Sequence, residues 1–388
     1  MELIIKYLSL RFFLIYNFIL WYRITSSSEI KKSFSQTPKI EKSFTASNEK
    51  RLLSSQKKFY YINTLSFSSS YYSVTVSPSG EIYFSDYYSI FKVSSDGIIS
   101  TVTGTGYLSN PFGIAVSSIG ELFIADTNNN RVLKLSSAGI ISTVAGTGSA
   151  YFNGDNILAV NANLYYPSGI ALSSDGVIYI ADTYNHRIRK VSSAGIISTI
   201  AGTGSTGYNG DNILALIADL YYPSGIAVSL IGDIFIADTY NHRIRKVSSN
   251  GIISTVAGNG FSGIIGNNGL AINANLNFPR GIAVSSIGEL FIADTNNNRV
   301  RKVSLDGIIS TIAGTGYAGY NGDNSLAANA QINNPRGIAV SSDGDVYIAD
   351  TNNQRIRKII YTCDQGYYSI GKNQFSECFE CPSDSNRY

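Results

Sequence analysis

Along the body of this chain, apolar residues come in short runs of four to six, each closed by a turn pair containing glycine. In the last unit the runs are Gly-Ile-Ala-Val-Ser (337–341), Asp-Val-Tyr-Ile-Ala (345–349) and Arg-Ile-Arg-Lys-Ile (355–359), and Ile-Ile-Ser-Thr-Ile-Ala-Gly (308–314) ends the unit before. Runs this short, rich in β-branched and aromatic residues and bounded by turn chemistry, predict strands. Asp343-Gly344 and the Ile-Gly pairs at 119/120, 231/232 and 287/288 mark the first hairpin of a unit. Asp-Gly at 96/97 and 306/307, Ala-Gly at 138/139 and 194/195, and Asn250-Gly251 mark the last. Glycine supplies the positive φ that such tight turns require. Each unit therefore reads as an antiparallel meander of strands A, B, C and D.

The units are copies of one another. The block Tyr-Ile-Ala-Asp-Thr-Asn-Asn-Gln-Arg-Ile-Arg-Lys-Ile (347–359) returns in variant form at 83–93, 123–135, 179–191, 235–247 and 291–303, and its aspartate falls at Asp86, Asp126, Asp182, Asp238, Asp294 and Asp350. The first spacing is 40 residues and the next four are 56. Six repeats of four strands predict an all-β fold, a six-bladed β-propeller of four-stranded antiparallel blades. The sixth unit stops after strand C, and residues 62–66 match the D-strand pattern of 99–103. Residues 60–66 are therefore expected to pair with 355–360 and close the ring, which removes the open edges of a linear array.

The repeated Gly-Ile-Ala-Val followed by Tyr-Ile-Ala-Asp-Thr-x-Asn-x-Arg-Ile-Arg-Lys-Val resembles the NHL repeat over about 71–360. The match is weakest in the first unit, where Tyr87-Tyr88-Ser89 replaces the Asn-rich loop and Ile90 stands at the arginine position. The resemblance implies a six-bladed propeller used for protein, glycan or RNA recognition, with some enzymes on related scaffolds.

Charge and termini narrow the setting. Of 30 basic and 27 acidic residues in the 388-residue chain, 11 and 4 fall in 1–58, so the body carries 19 against 23 and is acidic. A folded nucleic-acid binder normally shows the opposite excess. Lys6 and Arg11 precede the apolar run 12–22, so residues 1–24 read as a signal peptide or signal anchor, with 25–58 a Ser- and Lys-rich flexible linker. The propeller is assigned to 59–361. Residues 362–388 carry Cys363, Cys378 and Cys381 and resemble the opening of a Cys-rich repeat of growth-factor-receptor and ephrin-receptor-like ectodomains, which implies disulfide bonding outside the cytosol.

In an up-and-down meander, A–B and C–D turns share one face, while B–C and D–A connections share the other. The second face receives the Asp-Thr-x-Asn-x-Arg loops and four long inserts, at 149–167, 205–223, 261–279 and 317–335. Long connections tend to carry function. The expected face stands high over blades 2 to 6 and lies open beside blade 1. Insert aromatics Tyr151, Phe152, Tyr208, Phe261, Tyr317 and Tyr320 are candidate partner contacts, about half of them free to pack the inserts down instead. Tyr184, His186, Tyr240 and His242, at matching loop positions of blades 3 and 4, extend the candidate patch.

The six repeated aspartates read as scaffold, because an acid at a strand end accepts turn N–H groups and pairs with a nearby arginine. The Asn-Gly-Asp-Asn inserts read as turns, lacking the alternating spacing of a calcium loop. Arg187, Arg189 and Lys190, as one example of the C-strand basic run, are expected to make pairs between blades. No catalytic triad, phosphate loop, metal-ligand set or cofactor motif is expected. The expected function is an extracytoplasmic or cell-surface recognition module, secreted or membrane-held, binding a protein or glycan through the B–C and D–A face. The alternatives are a propeller-type lyase or lactonase with a divalent metal near the channel, and an RNA-binding NHL protein.

Overall fold

The computed structural model describes residues 58–363 except 68, 95, 104–105 and 322, together with the antiparallel backbone pair Tyr367–Ser369 and Cys378–Glu380. The expected leader, nearly all of the linker and most of the Cys-rich segment lie outside the described residues. Within them, six antiparallel sheets form the blades of a propeller. Blade 1 is Ser73–Val76, Ile82–Ser85, Ile90–Val93 and Ile99–Thr103; blade 3, representative of the longer repeats, is Pro167–Leu172, Ile178–Asp182, Arg187–Val191 and Ile196–Ala201. In blade 6 the fourth strand is the N-terminal Lys58–Phe67. It pairs antiparallel with Arg355–Cys363, with Ile62 opposite Ile359 and Thr64 opposite Arg357, and the ring closes as expected.

The core lies between blades, divided into six hydrophobic clusters, one at each contact between neighbours. Both faces of every sheet are therefore covered, which explains why strand B is a continuous apolar run: all five residues of Ile178–Asp182 are buried, and so are those of its counterparts in blades 2, 4, 5 and 6. Burying one such Ile or Phe stabilises by about 1.5–3 kcal/mol. Glycine is required where the A strands crowd the axis. A Cβ on Gly169 would stand 2.0 Å from the Ser224 carbonyl oxygen, and one on Gly281 2.0 Å from that of Arg336.

The inserts take a different path from the one expected. Each spends its middle on the outer edge of the following blade as a short fifth strand: Ile157–Leu158 on blade 3, Ile213–Leu214 on blade 4, Gly269–Leu270 on blade 5 and Ser325–Leu326 on blade 6. Ala159 accepts the Gly146 N–H and donates to the Gly195 carbonyl, so the insert ties the D-strand end of blade 2 to the C–D turn of blade 3. The unpaired edge of strand D is the physical reason: a connection long enough to reach it satisfies backbone groups that would otherwise face water. The inserts brace the rim more than they raise a wall, and blades 1 and 2 stay four-stranded.

Candidate functional site

Residues common to the blades are occupied with holding them together. In blades 2 to 6 the repeated aspartate is fully buried. Asp238 accepts the Tyr221 N–H at 2.7 Å, the Asn241 amide at 2.8 Å and the Arg245 guanidinium at 3.4 Å. Burial pushes its pKa up to about 6 against the pull of these donors. The second end of Arg245 reaches Asp211, the acid of the Asn-Gly-Asp-Asn insert, at 3.1 Å, and Asp211 also accepts from Thr255. Arg189 joins Asp182 to Asp155 and Arg357 joins Asp350 to Asp323 in the same way. These pairs stay within one blade and its own insert, correcting the expectation of bridges between blades. Blades 1 and 2, preceded by short junctions, have Phe91 and Leu133 at the register position of Arg189, Arg245, Arg301 and Arg357, the latch arginines of blades 3 to 6. Asp86 alone is only partly buried, accepting its own turn's N–H groups from Tyr88 and Ser89 and the Ser69 hydroxyl.

The six insert aromatics divide into two sets. Phe152 lies 4.0 Å from the Arg187 guanidinium and 4.8 Å from that of Arg189. Tyr208 stands likewise against Arg243 and Arg245, and Tyr320 against Arg355 and Arg357. This stacking fastens the insert to the blade and leaves Phe152 little to offer a partner. Tyr151, Phe261 and Tyr317 are 70, 72 and 77% exposed. Of these three, Tyr151 alone makes an aromatic contact, with Tyr165 at 5.3 Å, placing it beside the B–C loops.

On that face the structure assembles an arc that the sequence reading had only begun to trace. Tyr184 packs on Tyr165, Tyr166 and Tyr222, and Tyr240 on Tyr221, Tyr222 and Phe278, with centroids 4.7–5.1 Å apart. Tyr184 and Tyr240 keep 44 and 40% exposure. His186 and His242 are a structural part of the arc. Each adopts a left-handed conformation, with φ 53°, and its Nδ1 accepts an N–H of the next junction, from Tyr222 and Phe278 at 3.2 Å. Asn130 and Asn298 do the same in blades 2 and 5. Burial, then the neighbouring Arg187 or Arg243, holds both imidazoles below the ordinary histidine range, so they are neutral acceptors at neutral pH.

The arc is confined to blades 3 and 4 and the start of blade 5. A second aromatic group, Tyr72, Tyr87 and Phe112, covers blades 1 and 2 with centroids 4.8–4.9 Å apart. Over blades 5 and 6 the equivalent positions are Asn277, Asn296, Asn333, Asn334 and Asn352. Between these sectors opens an axial channel of about 110 Å³, lined by the six A strands. Its B–C mouth is ringed by one residue from each blade: Tyr72, Phe112, Ser168, Ser224, Arg280 and Arg336. The two serines are engaged with Thr183 and Thr239. No Asp, Glu, His or Cys lines the channel, and no cluster able to hold a metal ion occurs among the described residues. The sequence reading missed this ring. Its signal was available in the residue before Gly-Ile in blades 2 to 6, the column of the A strand in which those blades change chemical character, from Phe to Ser to Arg.

Comparison with known proteins agrees with the repeat. The NHL repeat profile matches 164–191 and 333–359, and that of the teneurin NHL domain matches 203–264 and 259–319. Teneurin-m of Drosophila melanogaster is 29% identical over 326 residues, covering 74% of this chain and 12% of that protein. Mouse Teneurin-4 is 32% identical over 232 residues, 53% of this chain and 8% of that one. The chain thus spans about a tenth of the curated relatives it matches. Among solved structures, an auxiliary nutrient binding protein from Bacteroides thetaiotaomicron superposes with a TM-score of 0.61 at 17% identity, over 79% of this chain and 77% of that one. A gluconolactonase from Xanthomonas campestris gives 0.54 at 12%, over 78 and 89%. These structural likenesses establish the propeller alone. The chain carries an NHL-repeat β-propeller.

Proposed function

We propose that this NHL-repeat propeller is a cell-surface or secreted recognition module whose B–C face binds a protein partner. The observation that carries the reading is the Tyr184–Tyr240 arc: large, half-exposed phenols fixed by mutual packing on a rigid scaffold in blades 3 and 4, where blades 5 and 6 carry asparagine. Such groups give contact area at little cost in side-chain entropy, and a site that only some blades possess is what a single partner needs. The teneurin relatives, which are cell-surface membrane proteins, support this setting. No helix among the described residues is long and apolar enough to cross a membrane, so attachment would come from residues 1–24 or from another part of a longer chain. A glycan is the second reading, for which the same exposed rings would serve as stacking platforms.

The lyase or lactonase reading meets a channel whose lining has no carboxylate, imidazole or thiolate to hold a divalent cation. RNA binding meets the acidic body. The test is to present the full chain as a multimer to cells displaying a panel of ectodomains, using avidity to detect weak binding. Binding that falls at least about tenfold in Tyr184→Ala/Tyr240→Ala and persists in Phe261→Ala supports the face assignment. A C-terminal tag found in the cytosol, or binding indifferent to the tyrosines, overturns it.

A further inference from the structure

We propose that Arg280 and Arg336 form an axial carboxylate-binding site at the B–C mouth of the channel. The first support is their position. The same ring place holds Ser168 and Ser224 in blades 3 and 4, whose backbones and neighbours are nearly identical, so the fold has no need of a cation there. Two adjacent blades nonetheless place long cationic side chains in the lining of the channel.

The second support is the missing counter-charge. The latch arginines of blades 3 to 6 each meet at least one aspartate. Among the described residues, neither Arg280 nor Arg336 makes an ion pair. Arg336 donates from Nε to the Asn334 amide oxygen and lies over the Tyr72 and Phe112 rings at 5.3 and 5.8 Å. Arg280 has no hydrogen bond from its guanidinium within the described residues. Burial lowers both pKa values, and the Arg280 charge lowers that of Arg336 further, as expected of two like charges held near each other. Both stay protonated at neutral pH. Uncompensated charge of this kind works against folding, and its retention at a mouth points to a ligand.

Shape selects the ligand class. The space is about 110 Å³, lined beyond the mouth by five glycines and Ser73 and by Ile170, Ile226 and their counterparts, so it admits a small head group on a slim apolar stem. Guanidinium forks match the planar two-oxygen edge of a carboxylate. The source is either a free small carboxylate or an acidic side chain carried in by a partner. The site does not depend on the partner reading, since a free carboxylate would occupy it equally well.

Isothermal titration of the full chain with glutarate, and separately with the peptide acetyl-Gly-Glu-Gly-amide, tests this in a carboxylate-free buffer. The expected result is saturable binding of at least one probe, weakened by added salt, lowered at least about tenfold in Arg280→Gln and in Arg336→Gln, and unchanged in Lys134→Gln. Tighter binding of glutarate marks a free ligand, and tighter binding of the peptide a protein-borne one. Arg280→Gln keeps or raises the wild-type unfolding midpoint, because a like-charge contact is relieved. No saturable binding to either probe, binding unaffected by both Gln variants, a preference for inorganic phosphate over glutarate, or a midpoint that falls in Arg280→Gln would each overturn the proposal.

Discussion

Two sets of arginines lie in this propeller under opposite rules. Those of the C strands, Arg189, Arg245, Arg301 and Arg357, repeat in every blade that has an insert, are buried, and end on a buried aspartate. Those of the channel mouth, Arg280 and Arg336, occur in two blades, are half-buried and end on no acid among the described residues. The first set shows what a repeat is for: each blade solves the same packing problem with the same residues. The second shows where a repeat stops serving the fold. Function is best sought where otherwise equivalent blades differ, and on this face they differ at the axis and along the tyrosine arc.

The largest effect that would break the comparison comes from the latch. Asp238→Ala removes the acceptor for the Tyr221 N–H, the Asn241 amide and one end of Arg245, and leaves that guanidinium buried with Asp211 as its remaining acid. A destabilisation of about 3–5 kcal/mol is expected, since a buried charge loses its partner. Asp86→Ala, which gives up two turn N–H bonds and one from the Ser69 hydroxyl at a partly buried position, should cost about 1–2 kcal/mol. Urea unfolding of the full chain measures both. Equal losses would mean that the buried network carries no special share of stability.

A smaller contrast separates insert aromatics of like composition. Tyr208→Ala withdraws the ring stacked on Arg243 and Arg245 and the phenol that donates to Asp211, with an expected cost of about 1–2 kcal/mol. Phe261→Ala acts on a side chain that stands 72% in water and should stay within about 0.5 kcal/mol. Thermal unfolding midpoints of the two variants decide the matter; a larger fall for Phe261→Ala would reverse the division into anchors and free contacts.

The fold was legible because its causes are local and repeated. Alternating runs, glycine turns at fixed places and a missing final D strand were enough to fix six blades and their closure. The path of the inserts was not legible, because sequence shows a loop's length but not the unpaired strand edge that attracts it. The division of the insert aromatics was legible but unread: Phe152, Tyr208 and Tyr320, the stacked rings, each immediately precede Asn-Gly-Asp-Asn, and Tyr151, Phe261 and Tyr317 do not. Tyr165, Tyr166, Tyr221 and Tyr222 were overlooked as candidates because they precede the strand-initiating proline and read as junction. The mouth arginines were missed for a similar reason, since attention to what the repeats share passes over the column in which they vary.

The smallest effect concerns the histidines and sharpens the same contrast between scaffold and site. Burial keeps His186 and His242 below the value near 6.5 that they have in the unfolded chain, so at pH values under that figure the unfolded state binds protons more readily. The stability they support is fully present above pH 6.5 and is lost as pH falls toward their folded values. Asp238, raised to about 6, acts in the opposite sense, contributing more stability as pH drops through that value, so the total curve blends both. The difference curve isolates the imidazoles. His186→Asn/His242→Asn places at both sites the residue that already serves in blades 2 and 5, where Asn130 and Asn298 hold φ of 52 and 50° and accept the same N–H at 2.9 Å. The double variant should match the wild type near pH 8 and lose less stability between pH 7 and 5, as read by urea midpoints. If the two curves run parallel, the imidazoles do not titrate with unfolding, and the inter-blade hydrogen bond does not depend on a neutral ring.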